Sequence, residues 1–580
     1  MKNISFIFLA LLIFSCESKV ENTKTDFLTP FEVSNKKETA TYNEVIDFYI
    51  KLSKEFSSIN IQTIGNTDSG EPLHVVTYSP KGDFDYKKLS ETNTMMLINN
   101  GIHPGESDGI DATMLLFRDL AGNEIKTPQK TIIATIPIYN VGGALNRNST
   151  TRANQNGPLE YGFRGNAKNY DLNRDFIKTD TKNAKTFAKI FHLINPDIFI
   201  DNHVSNGADY QYTLTHLFTQ HNKLGGELGE YVHGSLMPQL QDSLSKANWD
   251  ITPYVNVFNS PPENGFQQFM DHPRYSTGYT TLFNTVGMMV ETHMLKPYHM
   301  RVEGTYQLMK NMISIAENDG SKIKNLRNAA FSKNSKKEHY PISWTVDATK
   351  NSKYIFKGYR ADTIISDVTG STRLKYNRNF PIEKEVIYQD YYMATDSVKI
   401  PKAYVLGKQW ENIIEKLNLN KITYSTLKKD SAITVESYRI NEYQTYTSPY
   451  EGHYPHYNTT VTKTEENKVF LAGDIIIPTD QPGFRYILET LEPSAVDSFF
   501  NWNYFDTILQ QKEGFSPYVF EDTALKLLET DSILRAEFDH KKMHEPDFNQ
   551  NWYMQLDWLF KKSNLYEKAH LQYPVYRIKQ

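Results

Sequence analysis

Short apolar runs alternate with amphipathic ones through the first half of the sequence, from Tyr42 to about Asn318. Four of the runs have the length and unbroken apolar character of strands buried on both faces: TMMLINN, TIIATIPIYN, PDIFIDNH and VGMMVETHM. Segments between them, such as DGIDATMLLFRDLA and TKNAKTFAKIFHLI, place apolar residues at helical spacing. Strands that alternate with helices predict an α/β domain built on a largely parallel sheet, in which sites form at the carboxyl ends of the strands.

The chain of 580 residues is longer than one ordinary core requires, and its composition divides it into five segments. We predict a signal peptide over residues 1–15, a flexible tether over 16–41, the α/β domain over 42–318, a polar linker over 319–340 and an accessory region over 341–580. Period-two alternation in the last segment predicts a mixed α+β, β-rich region. The formal net charge of −5 provides no basic footprint, so nucleic acid is not expected as a partner.

The first sixteen residues have the layout of an export signal. Lys2 supplies a positive start, an apolar run too short to cross a bilayer follows, and Ser15-Cys16 closes the segment. The run LIFSC resembles a bacterial lipobox, which implies that Cys16 becomes a lipidated N-terminal residue. We therefore expect an exported protein, periplasmic or at the cell surface, that meets the membrane through a lipid anchor only. Cys16 is the single Cys, so no disulfide and no Cys nucleophile are expected.

His103 and Glu106 lie in the stretch NNGIHPGESDG, after a predicted buried strand and before a predicted helix. The Pro104-Gly105 pair favours a loop in which both side chains can face one point. Catalytic zinc commonly takes three protein ligands with nitrogen and oxygen donors and keeps a further position open. His203, which follows another apolar strand, is placed to supply the third ligand. The pattern predicts a metal site made of His103, Glu106 and His203.

Three further places in the α/β domain carry residues suited to catalysis. Asn173 and Arg174 are adjacent in NYDLNRDF, and Glu291 lies on the apolar strand VGMMVETHM. Burial there would raise the pKa of the carboxyl and suit it to proton transfer. Arg152 lies in TTRANQNG, with Arg147 and Arg164 as nearby alternatives.

In this order, the motifs resemble those of the zinc carboxypeptidases of the carboxypeptidase A and B type, over roughly residues 42–318. The resemblance implies a mixed, largely parallel sheet of about eight strands flanked by helices, one zinc ion per chain, and a peptide substrate with a free C-terminus. It implies the following roles: metal ligands at His103, Glu106 and His203; a general base at Glu291; oxyanion stabilisation by Arg152; and binding of the terminal carboxylate by Asn173 and Arg174.

The family usually also has a Tyr that closes over the substrate, on a loop before the strand that carries the base. The stretch DHPRYSTGYTT offers Tyr275 and Tyr279, neither in a matching motif, and Arg274 beside them is a candidate for the specificity pocket. Farther on, YEGHYPHYN sets His453 among tyrosines, and we interpret it as an aromatic loop.

Two alternatives to a general carboxypeptidase stay open at this point. One is the same chemistry on cell-wall peptides or N-acyl amino acids. The other is a surface-binding lipoprotein whose site is inert.

Overall fold

The computed structural model describes residues 26–334 and 337–579. The predicted signal peptide and the predicted lipidation site at Cys16 lie outside these residues, as does the first part of the predicted tether. Along the described chain, no helix is both long enough and apolar enough to span a bilayer.

An eight-stranded sheet forms the centre of the first half, in the order β1-β2-β4-β3-β5-β9-β6-β7. The pairs β3–β4, β3–β5, β5–β9 and β6–β7 are parallel, and the pairs β1–β2, β2–β4 and β6–β9 are antiparallel. The predicted fold class, a mixed and largely parallel sheet flanked by helices, is therefore confirmed. The strands of the first half are β1 (Ile59–Asn66), β2 (Pro72–Tyr78), β3 (Thr94–Asn99), β4 (Thr131–Ile136), β5 (Ile198–Val204), β6 (Leu214–Phe218), β7 (Ile251–Pro253), β8 (Phe266–Gln267) and β9 (Val286–Thr292).

The central strands β3, β4, β5 and β9 are buried at every position, which is why the sequence shows them as unbroken apolar runs. The long helix Tyr298–Asn334 packs against β3, β4 and β9 and against the helix Asp108–Ala121. The helices of the first half are Pro30–Val33, Tyr42–Glu55, Tyr86–Thr92, Asp108–Ala121, Val141–Leu145, Lys182–Ile194, His221–Leu224, Gly226–Tyr231, Met237–Lys246, Ser276–Thr281 and Tyr298–Asn334.

The described part of the predicted tether, residues 26–41, packs against the α/β domain. Phe31 is buried, with its ring edge-to-face against Tyr298 at 5.7 Å between centroids. Glu32 forms an ion pair of 2.7 Å with the buried Arg118. The segment is polar in composition, but one aromatic anchor and one ion pair are enough to fix it on the domain.

The predicted linker over 319–340 is also different in the structure, because the helix Tyr298–Asn334 occupies most of it. Two of its residues anchor the C-terminal third of this helix. Ile323 is fully buried, and Arg327 forms an ion pair of 3.2 Å with the buried Asp197. The remaining side chains of this stretch are largely polar and exposed, so the sequence alone resembles a solvated connection.

The second half contains a two-stranded sheet, β10-β13, and a six-stranded sheet, β15-β18-β14-β19-β16-β17. The hairpin β11–β12 pairs with β8, so the two halves share a sheet. One apolar core runs from Phe31 to Val575 across both halves. The strands are β10 (His339–Val346), β11 (Ser352–Ile365), β12 (Thr372–Gln389), β13 (Tyr392–Lys399), β14 (Ala403–Leu406), β15 (Ser425–Thr426), β16 (Ser431–Thr445), β17 (His456–Phe470), β18 (Ile475–Pro478) and β19 (Val575–Ile578), and the helices are Glu411–Leu419, Phe484–Leu491, Pro517–Thr530, Ser532–His544, Pro546–Gln550 and Trp552–Lys562.

Candidate metal centre and adjoining pocket

His103, Glu106 and His203 meet at the carboxyl ends of neighbouring parallel strands. His103 and Glu106 lie in the loop that follows β3, and His203 lies near the end of β5. One ligand atom from each residue lies within 4.8 Å of the other two, and all three residues are buried. Within residues 26–334 and 337–579 this is the one group of three or more His, Cys, Asp or Glu side chains close enough to hold a metal ion.

The two imidazoles present the same nitrogen to the centre. Nδ1 of His103 lies 3.3 Å, and Nδ1 of His203 lies 3.1 Å, from Oε2 of Glu106. Nδ1 of His103 is buried and has no hydrogen-bond partner in the described chain. A buried nitrogen without a partner is costly, and a metal ion between the three groups would satisfy it.

The other ring nitrogens are held by carboxylates that sequence analysis missed. Nε2 of His103 lies 2.9 Å from Asp171, and Nε2 of His203 lies 3.0 Å from Asp201. Such outer partners orient imidazole ligands and fix their tautomer. A signal did exist for Asp201, because it lies two residues before His203 on the same strand and therefore on the same face. For Asp171 the signal in the sequence was weaker, because it consisted only of its position two residues before Asn173.

Two arginines contact the other carboxylate oxygen of Glu106, Oε1. Nη1 of Arg152 donates to Oε1 at 2.7 Å, and Nη1 of Arg164 lies 3.5 Å from the same oxygen. Burial alone would raise the pKa of Glu106, but Arg152 and His103 outweigh it and hold the pKa well below its ordinary value. Glu106 is therefore an anionic ligand candidate.

Glu291 lies on β9 directly opposite His203 on β5. Burial, together with the charge of Glu106, raises the pKa of Glu291 to about 8, against the opposing effect of His203. The carboxylate lines the same pocket as the three ligand candidates. This position gives the cluster a carboxyl that can hold or release a proton near neutral pH.

Asn173 and Arg174 belong to the short 3₁₀ turn Leu172–Arg174, which Asp171 caps by accepting the N–H of Asn173 at 2.9 Å. The guanidinium of Arg174 stacks over the ring of Tyr275, with 4.6 Å from Cζ to the ring centroid. Its closest carboxylate contact in the described chain, to Asp171, is 4.0 Å. Arg174 is thus oriented but only weakly paired, as a residue that receives an external anion should be.

These residues line a single pocket of about 340 Å³. Tyr254 also lines this pocket, and burial together with the charge of Glu291 raises the pKa of its hydroxyl. One wall is apolar. The full lining is His103, Glu106, Arg152, Arg164, Asn173, Arg174, His203, Val204, Asn206, Leu217, Tyr254, Asn256, Phe269, Tyr275, Met289 and Glu291. Sequence analysis had not selected Tyr254, Leu217, Phe269 or Met289, which no local motif marks.

The structure contradicts two of the predicted pocket residues. Tyr279 is fully buried in the aromatic core, and its hydroxyl donates to Asn420 at 2.7 Å. Arg274 is paired with the buried Asp497, with Nη2 2.7 Å from Oδ1, and does not line the pocket. In both cases the partner lies in the second half of the chain, where local sequence could not reveal it. Tyr275 does line the pocket.

The chain combines an eight-stranded mixed sheet with a His–Glu–His cluster at its strand ends, and in both features it resembles the zinc carboxypeptidases. Curated relatives agree with this class. The chain is 22% identical over 442 residues to Carboxypeptidase 2 of Trichophyton equinum, covering 71% of this chain and 74% of the relative. It is 21% identical over 436 residues to Carboxypeptidase 2 of Trichophyton tonsurans, with the same shares covered. The predicted resemblance to the zinc carboxypeptidases is thereby confirmed.

Solved structures give a looser likeness. A putative carboxypeptidase A from Shewanella denitrificans has a TM-score of 0.36 and 16% identity, over 47% of this chain and 69% of that one. The carboxypeptidase A of Helicoverpa armigera has a TM-score of 0.36 and 13% identity, over 51% and 74%. No protein-family model matches the chain.

Proposed function

We propose that the protein is a zinc-dependent metallocarboxypeptidase, which removes the last residue of peptides that end in a free carboxylate. One observation carries the proposal: His103, Glu106 and His203 converge in the same pocket as Glu291 and the Asn173-Arg174 pair. The names of the curated relatives support the same activity.

Two imidazole nitrogens and one carboxylate oxygen are a donor set typical of catalytic zinc sites. The buried, unpartnered Nδ1 of His103 fits such an ion. Zinc bound there would supply a Lewis acid and lower the pKa of a water molecule. Asp171 and Asp201 would hold the proton of each imidazole at Nε2, which orients the rings and leaves Nδ1 free to bind the ion.

Glu291 is placed to act as general base and then as general acid. It would take a proton from the attacking water and return it to the leaving amine, a role that contributes about 10²–10⁴ in rate. Its position beside His203 brings the carboxylate to the metal cluster without making it a ligand candidate.

Arg152 is the candidate for stabilising the negative charge that develops on the scissile carbonyl oxygen. Its guanidinium already reaches the metal cluster through Glu106. Removing one such donor typically costs about 10²–10³ in kcat. Arg164 lines the same pocket, and its Nε donates to Oδ2 of Asp171 at 3.0 Å.

Asn173 and Arg174 would bind the terminal carboxylate, since the guanidinium fork matches a carboxylate in geometry and charge. The side chain of the terminal residue would then contact the apolar wall of Leu217, Phe269 and Met289. Within the lining, Glu106 and Glu291 are the only acidic side chains; the first is a ligand candidate and the second is the proposed base. We therefore propose a preference for apolar terminal residues over Lys or Arg.

The test compares two blocked dipeptides that differ only at the end, one a free acid and one an amide. The proposal predicts zinc-dependent release of the terminal residue from the acid, loss of activity with chelator, and recovery on adding zinc. Hydrolysis of the amide at an equal rate would contradict the carboxylate subsite. Bound zinc without hydrolysis of any peptide, including cell-wall peptides, would instead support the surface-binding alternative.

We also propose, from the sequence of the first sixteen residues, that the protein is exported and lipid-anchored at Cys16. Labelled fatty acid should be incorporated by the expressing bacterium into the wild-type chain and not into Cys16→Ala. Equal labelling of both would contradict lipidation at this residue.

A further inference from the structure

We propose that the C-terminal half of the chain positions residues of the proposed active site. The β16–β17 loop, residues 446–455, holds the segment 170–180, and Glu451 is the positioning residue in that loop. The inference rests on the proposed function, because the segment carries Asn173 and Arg174.

Glu451 acts on the segment through Asp171. Its Oε2 accepts the backbone N–H of Asp171 at 2.8 Å. Asp171 in turn contacts Nε2 of His103 at 2.9 Å, accepts the N–H of Asn173 at 2.9 Å and binds Nε of Arg164 at 3.0 Å. A displacement of the Asp171 backbone would therefore move a metal ligand, the carboxylate-binding turn and an arginine together.

Glu451 and Gly452 form the two-residue turn of a small hairpin, in which Tyr450 and His453 exchange backbone hydrogen bonds. Glu451 has φ of +49° and Gly452 has φ of +79°, so two successive residues are left-handed. Hairpin turns of this length require positive φ at both central residues, so the backbone hydrogen bonds of the turn itself account for the conformation. A Cβ on Gly452 would lie 2.7 Å from the hydroxyl of Tyr170, so the loop backbone packs closely against the residue before Asp171.

The far end of the segment is held by the same half of the chain. Nε2 of His453 lies 2.8 Å from Oδ2 of Asp180, and Tyr504 donates to the other oxygen of this carboxylate. Asp180 also binds the fully buried Lys178 at 3.1 Å. Because both ends of the segment are anchored on the second half, the turn that presents Asn173 and Arg174 is fixed between them.

The test substitutes Glu451 in the full chain. Glu451→Ala removes the acceptor, Glu451→Gln retains an oxygen that can accept the same N–H, and Glu451→Met keeps the length without an acceptor. Tyr454→Ala is the matched control, because the ring of Tyr454 is half exposed in the same loop and its backbone binds Asn503 rather than the segment 170–180. Three quantities are measured: KM and kcat on the free-acid dipeptide, binding of the free terminal amino acid, and zinc affinity by competition with a chelator.

We expect Glu451→Ala and Glu451→Met to weaken zinc binding and to raise KM, each about tenfold, as changes to outer-shell partners of metal ligands commonly do. Glu451→Gln and Tyr454→Ala should stay within about twofold of the wild type. If Glu451→Ala fails to fold, the zinc affinity and KM of Glu451→Met test the proposal in its place. Unchanged zinc affinity and KM in the Ala and Met variants would overturn the proposal, as would an equal defect in Glu451→Gln. If the wild type binds zinc but hydrolyses nothing, the proposed function fails, while the zinc measurement still decides whether Glu451 positions the site.

Discussion

Replacing Arg274 by Ala should destabilise the protein rather than change its substrate preference. Arg274 binds the carboxylate of Asp497 through Nη2 at 2.7 Å and Nε at 2.9 Å, and its backbone N–H donates to Oδ2 at 2.8 Å. The side chain of Asp497 is 0% exposed, against 14% for Arg274. Removing one partner of a buried pair leaves an uncompensated charge, which typically costs about 3–5 kcal/mol.

The pKa of Asp497 adds a pH dependence to this prediction. Burial would raise it, but Arg274 holds it below its ordinary value. Without Arg274, the buried carboxylate of Asp497 can take up a proton and become neutral. The loss of stability in Arg274→Ala should therefore be smaller at acidic pH than at neutral pH. The pair joins the first half to the second, and the destabilisation should be visible in any probe of global unfolding.

The assay is urea unfolding followed by tryptophan fluorescence, together with steady-state kinetics on the folded variant. The double variant Arg274→Met with Asp497→Asn is the control, because it leaves no buried charge and the amide oxygen can still accept the backbone N–H of residue 274, so part of the stability should be recovered. A stable Arg274→Ala variant with a selectively altered KM for acidic terminal residues would refute this account and restore Arg274 to the specificity pocket.

Three further predictions concern single residues. Phe31→Ala should lower the free energy of unfolding by about 3 kcal/mol, because a buried Phe is lost; an unchanged urea midpoint would support the flexible tether instead. The pKa of Asp111 is raised from 3.8 to about 6 by burial, so the folded state holds this proton more tightly and stability falls as pH rises through that window. Asp111→Asn should therefore remove about 2 kcal/mol of the stability difference between about pH 4.5 and 7.5, measured by urea unfolding, and an unchanged pH profile would contradict the assignment. Arg152→Ala should lower kcat about 10²–10³-fold, and a larger loss in Arg164→Ala would reassign the role.

The metal cluster could be predicted from local sequence because each ligand lies next to a strong signal. His103 and Glu106 follow a fully apolar strand and flank a Pro-Gly pair, and His203 ends another apolar strand. Parallel strands bring their carboxyl ends to one edge, so sequence position was enough to bring the three residues together.

The errors all depended on partners distant in sequence. Arg274 binds Asp497, which lies 223 residues farther along the chain. Tyr279 lies in the core and donates to Asn420, which lies 141 residues farther along. The six-stranded sheet of the second half pairs Ala403 with Ile578, which no periodicity can reveal. The helix over the predicted linker was missed because Ile323 and Arg327 are nearly its only buried residues in that stretch.

The most direct test of the central claim is a joint measurement on Glu291→Gln, in which zinc content and turnover are determined on the same preparation. We predict one zinc ion per chain, as in the wild type, with release of the terminal residue abolished, since the amide cannot take the proton. Full activity in this variant, or a wild-type chain that binds no zinc, would contradict the assignment of the site.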